Sequence, residues 1–221
     1  MKILVGTLYS GENEYDECLV SIKNQTFRNF DHLIIKHLPE REAHNKLYQT
    51  FLDQADTYEL LIKVDADMVL CSPYFFEEIE KRMTDNSNID VYSVAVYDFF
   101  SGELVNGLNT YRNKVRWDFE SNTIFVDIPA IEMEKIHFDQ TELAPAAIHC
   151  KNPSNLQAFH YGVHRGLKSI QKIHSTTHWA FLEKTWENFL REKDPRIGLA
   201  VLGAELVYAG EFTKGDIDYT N

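Results

Sequence analysis

The chain has 221 residues, 44% of them hydrophobic and 13% aromatic, enough to bury a sizeable core and to exclude an extended disordered polymer. Its formal net charge of −12 repels a nucleic-acid backbone, so any phosphate-bearing ligand has to be received by local chemistry and not by the overall field. Three widely spaced cysteines, Cys18, Cys71 and Cys150, do not form a disulfide framework and fit reduced thiols in a cytoplasmic protein.

In chain order, Lys2–Leu8 reads as a buried strand bounded by Ser10-Gly11, and Glu12–Asn24 as an amphipathic helix with Tyr15, Cys18, Leu19 and Ile22 on one face. His32–His37 is a second strand. Pro39–Ala55 follows as a helix presenting Ala43, Leu47, Phe51, Leu52 and Ala55, and Tyr58–Val64 is a third strand. Strand, helix, strand, helix, strand with short links predicts an α/β fold with a mostly parallel sheet, whose right-handed crossovers bring the three strand C-termini to one edge. Asp65-Ala66-Asp67 stands at that edge, where two carboxylates two residues apart can hold a hard divalent cation and, through it, a diphosphate.

Beyond it, Ser72-Pro73 predicts a helix start and Ile89–Phe99 a fourth strand. Phe100–Asn113, with two glycines and several asparagines, reads as loops, and Val115–Ile128 as one or two weak strands. Helices are expected over Thr177–Lys193 and Arg196–Tyr208, before a polar tail. No stretch has the roughly 18 apolar residues of a membrane span, although a small patch for peripheral membrane contact is compatible with the composition.

Four segments in order carry a resemblance. Val5-Gly-Thr-Leu-Tyr9, Leu19-Val-Ser-Ile-Lys-Asn-Gln-Thr-Phe-Arg-Asn-Phe30, Ala43-His-Asn-Lys46 and Leu61-Ile-Lys-Val-Asp-Ala-Asp67 together resemble the nucleotide-sugar half of GT-A glycosyltransferases of the family-2 type. The resemblance implies one GT-A domain over 1–221: a nucleotide-sugar half at 1–100, an acceptor and metal half at 101–170, and C-terminal helices at 171–221. It also implies a divalent cation, Mn²⁺ or Mg²⁺, a UDP- or GDP-sugar donor, and a glycan or lipid-linked acceptor. Asp67 would ligate the metal directly, and Asp65 would meet ribose or the metal through water. Thr7 and Tyr9 would face the nucleoside, with Tyr9 stacking on the base. The pattern is altered in two places: Lys36-His37 stands where the family carries a base-reading acid, and His44 replaces an arginine, leaving His44 and Lys46 to meet phosphate oxygens.

Gln157-Ala-Phe-His-Tyr-Gly-Val-His-Arg-Gly166 resembles a late-strand segment that supplies a third metal ligand in some retaining members. On that resemblance His160, or alternatively His164, completes the metal site, Arg165 and Lys168 lie near the phosphates, and Gly162 lets backbone approach the donor. Cys150, His160 and His164 as a zinc set is unconvincing without a paired Cys-x-x-Cys. A base for the acceptor hydroxyl is sought among the acids of 127–142, with Glu134 and Asp139 as candidates.

Two other readings remain open. A module that binds nucleotide sugar without turnover fits the altered base-reading position and the absence of the Glu-Asp pair that the family usually carries before its acceptor site. A Mg²⁺-dependent phosphohydrolase fits poorly, because its first aspartate belongs on the first strand and Val69 occupies the place of its threonine. Kinase, dehydrogenase and serine-hydrolase signatures are missing from the sequence.

Overall fold

The structure, a computed structural model, describes residues 1–119, 135–171 and 175–213. Strands β1 (Ile3–Tyr9), β2 (Phe30–Lys36) and β3 (Leu60–Lys63) alternate with helices α1 (Tyr15–Lys23) and α2 (Glu40–Asp53). Then come β4 (Met68–Leu70), α3 (Phe75–Asp85), β5 (Val91–Asp98), β6 (Glu103–Arg112), β7 (Ile136–Asp139) and β8 (Ala147–His149). Helices α4 (Asn155–Ile170), α5 (Ser175–Glu192) and α6 (Pro195–Tyr208) complete the described residues.

One sheet runs β2-β1-β3-β6-β5-β8-β4, with β7 also paired to β5. β1 is parallel to β2 and β3, and β5 is parallel to β7 and β8. Because β6 is antiparallel to both β3 and β5, β5 points the same way as β3; only β4 and β6 oppose the rest. The expected α/β fold with a mostly parallel sheet, flanking helices and a C-terminal helical segment is the one observed. The sheet is necessarily curled. Five residue steps from Lys63 to Met68 reach at most about 17 Å, whereas four strand gaps between β3 and β4 would span about 19 Å if flat.

Alternation along β1 sends Ile3 and Val5 into a core with Ile22, Phe76 and Ile79, and Leu4 into an opposite core with Leu47, Tyr48, Phe51, Tyr111 and Trp117. Burial on both faces explains why β1 and β3 read as near-continuous apolar runs. Gly6 leaves room for α2 against β1, since a Cβ there would run into the side chain of Leu47.

Four expectations need correction. The 100–113 stretch is not loops: β6 forms a hairpin with β5, its register adjusted by a bulge at Val94/Ala95, because cross-strand packing overrides the weak propensity of Asn and Gly. The helix after Ser72 starts at Phe75, with Tyr74 as N-cap; the Ser72 hydroxyl accepts from the Tyr74 N–H, 3.2 Å away. The histidine-bearing segment is helix α4, opened by a capping box between Ser154 and Gln157. Gly162 therefore does not bring backbone to a donor. It lies where α4 crosses α6, and a Cβ there would overlap the carbonyl of Ala200. Of the two weak strands expected over 115–128, residues 115–119 contain none, and 120–128 lie outside the described residues.

Candidate functional site

Sheet register builds the site. On one side His149 pairs directly with Asp98 of β5, and on the other with Met68 of β4. Directly paired residues project to the same face of a sheet, so Asp98 and His149 meet, and Asp67, one residue before Met68, is drawn beside Cys150. The Cys150 N–H donates to the Asp67 carbonyl at 2.8 Å. Cys150 adopts φ +52, a left-handed conformation uncommon outside glycine, which turns the chain back immediately after the strand.

The resulting contacts are short and mostly shielded. His149 Nδ1 is 2.7 Å from Asp98 Oδ1, and its Nε2 is 3.3 Å from Asp67 Oδ2. The Cys150 Sγ lies 3.3 Å from the same Asp67 oxygen and 3.6 Å from His149 Nε2. Asp67 Oδ1 is buried without a hydrogen-bond partner. Asp98, fully buried, also accepts at Oδ2 from the Ser101 N–H and hydroxyl, both 2.7 Å, and from the Tyr161 hydroxyl at 3.1 Å. Tyr161 belongs to α4 and stacks on Phe100, while Asn188 of α5 donates to the Phe99 and Phe100 carbonyls. The C-terminal helices thus brace the turn that holds Asp98.

Electrostatics follow from this arrangement. Burial would raise the Asp98 carboxyl, but the hydrogen bond and charge of His149, with Arg165 and Ser101, outweigh it and bring it down to about 2. Burial likewise works against ionisation of Asp67, and His149, Cys150 and Lys63 overcome it, leaving its pKa lowered. For His149, burial favours the neutral ring, but Cys150, Asp67 and Asp98 hold its pKa well above the ordinary imidazole range. The Cys150 thiol is pushed up by burial and by Asp67. Glu12, in the turn after β1, is raised to about 7 by burial and by the charge of Asp67, with Asp65 adding to it; its Oε2 accepts from the Ser10 and Gly11 N–H groups. Four carboxyl groups, of Glu12, Asp65, Asp67 and Asp98, and one buried lysine therefore share this edge: Lys63 Nζ sits 2.8 Å from Asp65 Oδ2.

Other expected residues have other surroundings. Thr7 is fully buried, its hydroxyl 2.9 Å from His32 Nε2. Tyr9 stacks on Tyr15 at 4.0 Å, with His37 against its edge and the Lys36 ammonium over both tyrosine rings, so one of its faces is already covered. His44 Nδ1 is 2.9 Å from the Glu40 carbonyl of its own helix, and Lys46 is exposed on α2. Arg165 covers the Tyr161 and Phe181 rings and bonds His178, within the helical layer. Lys168 is half-buried in the last turn of α4.

His160 and His164 both lie on α4, where His164 Nε2 approaches Glu40 at 3.9 Å. Among the described residues the cluster of metal-ligating atoms within 4.8 Å of one another is Asp67, His149 and Cys150, and neither helical histidine joins it. Asp139 caps a turn: its oxygens accept from the N–H groups of Thr141, Glu142 and Leu143 and from the Tyr92 hydroxyl. Burial opposes its ionisation, but these bonds outweigh it and keep its pKa lowered. Glu134 lies outside the described residues. Sequence reasoning passed over Asp98, His149 and Glu12, although Asp98 and His149 each end an apolar run, and it weighed Cys150 only beside His160 and His164, which lie elsewhere, on α4.

The donor set fits a divalent cation: an ionised carboxylate with an unpartnered buried oxygen, an imidazole whose other nitrogen is fixed by a carboxylate, a thiol, and two further carboxyl groups alongside.

No protein-family model matches the sequence, and no curated protein matches it. Among solved structures, the chain is similar to A197 from STIV at 15% identity and a TM-score of 0.40, over 51% of this chain and 65% of that one. It is similar to S. aureus TarS 1-349 at 11% identity and a TM-score of 0.45, over 97% and 93% of the two chains. The mannosyltransferase PcManGT from Pyrobaculum calidifontis, solved with GDP-Man and Mn²⁺, aligns at 11% identity and a TM-score of 0.40, over 96% and 76%. The chain spans 65% of A197 and 55% of the longer TarS chain. None reaches a TM-score of 0.5, so function is read from the side chains of the site. Among the described residues no helix is long and apolar enough to cross a membrane.

Proposed function

We propose that the protein is a metal-dependent glycosyltransferase, formed as one domain over 1–221, that moves a sugar from a nucleoside-diphosphate donor to a hydroxyl of a glycan or lipid-linked acceptor. One observation carries this reading. The C-terminal ends of β1, β3, β5 and β8, all pointing one way, gather Tyr9, Asp65, Asp67, Asp98 and His149 at a single edge of the sheet, where α/β folds receive their ligands.

In this reading Asp67 and His149 hold the cation and Asp65 stands beside it, steadied by Lys63. When bound, the cation supplies neutralisation of the charge that develops on the departing diphosphate, worth several kcal/mol. Asp98 accepts from His149 Nδ1 and so aims Nε2 at Asp67 and the metal. Lys36 and His37, at the end of β2, lie against Tyr9 and are proposed to meet the nucleoside.

The test is a thermal-shift screen of UDP-, GDP-, CMP- and dTDP-sugars with and without Mn²⁺, followed by a nucleotide-release assay. A donor held at 100 times its dissociation constant stabilises the fold by about 2.7 kcal/mol, and this effect should require metal. Failure of every nucleotide sugar to shift Tm with Mn²⁺ present would sink the proposal. A second reading, a binding module without turnover, is favoured by the commitment of Asp139 to its turn; stabilisation without nucleotide release would select it.

A further inference from the structure

The cation site contains a sulfur that a hard-metal centre does not require. Zinc bonds of about 2.0–2.1 Å to nitrogen or oxygen and about 2.3 Å to sulfur, arranged tetrahedrally, separate ligand atoms by about 3.4 Å for O and N, and about 3.6 Å where one atom is sulfur. The observed separations are 3.3 Å for Asp67 Oδ2 to His149 Nε2, 3.6 Å for Cys150 Sγ to His149 Nε2, and 3.3 Å for Cys150 Sγ to Asp67 Oδ2. Two of the three edges match a tetrahedral face, and the third is within a few tenths of an ångström. An octahedral Mg²⁺ with bonds near 2.1 Å would place oxygen and nitrogen ligands about 3.0 Å apart, also within a few tenths of an ångström of the observed 3.3 Å, so the sulfur and not the spacing distinguishes the ion.

The surroundings of the imidazole agree. His149 gives its far nitrogen to a fully buried carboxylate that is itself held by Ser101 and Tyr161, the support that metal-bound histidines commonly have. Cys150 is fixed by the backbone, through its bond to the Asp67 carbonyl and its left-handed φ, so the sulfur need not move to take part. Asp67 Oδ1 is a further buried donor atom left unpartnered on the same carboxylate.

We propose that Asp67, His149 and Cys150 form a tetrahedral, thiolate-containing site for a borderline divalent cation of the zinc and cobalt class, with the fourth position open to water or a diphosphate oxygen. The proposal rests on the metal-dependent reading above and changes which metal that reading expects. On coordination the sulfur–hydrogen bond of Cys150 is replaced by a sulfur–metal bond and the proton on His149 Nε2 gives way to a nitrogen–metal bond, while Nδ1 keeps its proton towards Asp98; both released protons pass to solvent, with no change of oxidation state. Soft and borderline ions gain from the thiolate, whereas Mn²⁺ and Mg²⁺ gain little.

The experiment is a Co²⁺ titration of the full chain, read by absorption. Wild-type protein should develop the near-ultraviolet charge-transfer band of a cobalt thiolate at one equivalent. The band should persist in the Cys18→Ala/Cys71→Ser double variant, whose sole thiol is Cys150, and vanish in Cys150→Ser. Competition should show zinc affinity falling at least about tenfold in Cys150→Ser, with Mn²⁺ affinity changing much less. If Cys150→Ser does not fold, the double variant alone decides, since its band can arise only from Cys150. Cobalt bound without a thiolate band, or a band that survives Cys150→Ser, would overturn the proposal. A thiolate band with no nucleotide-sugar effect on Tm would uphold this site and remove the transferase reading; the reverse pattern would do the opposite.

Discussion

Asp98 is the residue on which the geometry of the site turns, although it touches no proposed substrate. Its carboxylate accepts from a histidine, a serine and a tyrosine drawn from β8, its own loop and α4. Asp98→Asn keeps the shape but loses the anion that orients His149, and metal affinity should fall about 10- to 100-fold by equilibrium titration. Asp67→Ala removes a direct ligand and should abolish measurable metal binding while leaving the circular dichroism spectrum unchanged. Acid should act through Asp98 as well. Its folded pKa, about 2, lies below the ordinary carboxylate value, so its contribution to stability is fully present above about pH 4 and is lost as pH falls from there towards 2. Urea midpoints measured at pH 5 and pH 3 should show that loss, and the decline should be shallower in Asp98→Asn.

At the level of elements, the crossing of α4 and α6 makes the sharpest demand on side-chain size. Gly162 abuts the Ala200 carbonyl and Gly203 abuts the Phe159 carbonyl, so each helix offers a glycine to the other's backbone. Gly162→Ala should destabilise the protein by about 1–3 kcal/mol through overpacking, read as a lower urea midpoint. Metal affinity should fall with it, because Tyr161 is the adjacent residue and supports Asp98. This glycine also marks where sequence reading reached its limit. His160-Tyr161-Gly162 resembles a metal-binding strand by composition, yet Ser154 and Gln157 spell a capping box, and the helical period wins. The first three strands and two helices were legible because each carries an apolar period with clear turn residues at its ends. β6 was not, since its asparagines and Gly107 signal loop locally and only the pairing with β5 makes it a strand. Asp67 was legible from its place after an apolar run. His149 was not, because what selects it from nine histidines is a register between segments some 50 and 80 residues apart in sequence.

For the molecule as a whole, the net charge of −12 opposes the approach of an anionic nucleotide. Added salt should therefore raise the association rate of a nucleoside-diphosphate sugar at low ionic strength, in a stopped-flow experiment with metal held saturating. A flat or falling rate would mean that the field of the loaded site outweighs that of the surface.

The convergence of strand ends has a further consequence, in time. Asp67, Asp98 and His149 become neighbours only after the β5–β8 and β4–β8 ladders close, and those pairings link residues far apart along the chain. Such non-local contacts form late and slowly, so a nascent or partly folded chain carries the ligands without the site. Metal capture during refolding should then lag behind helix formation and coincide with the final cooperative step, making the bound ion a reporter of sheet closure.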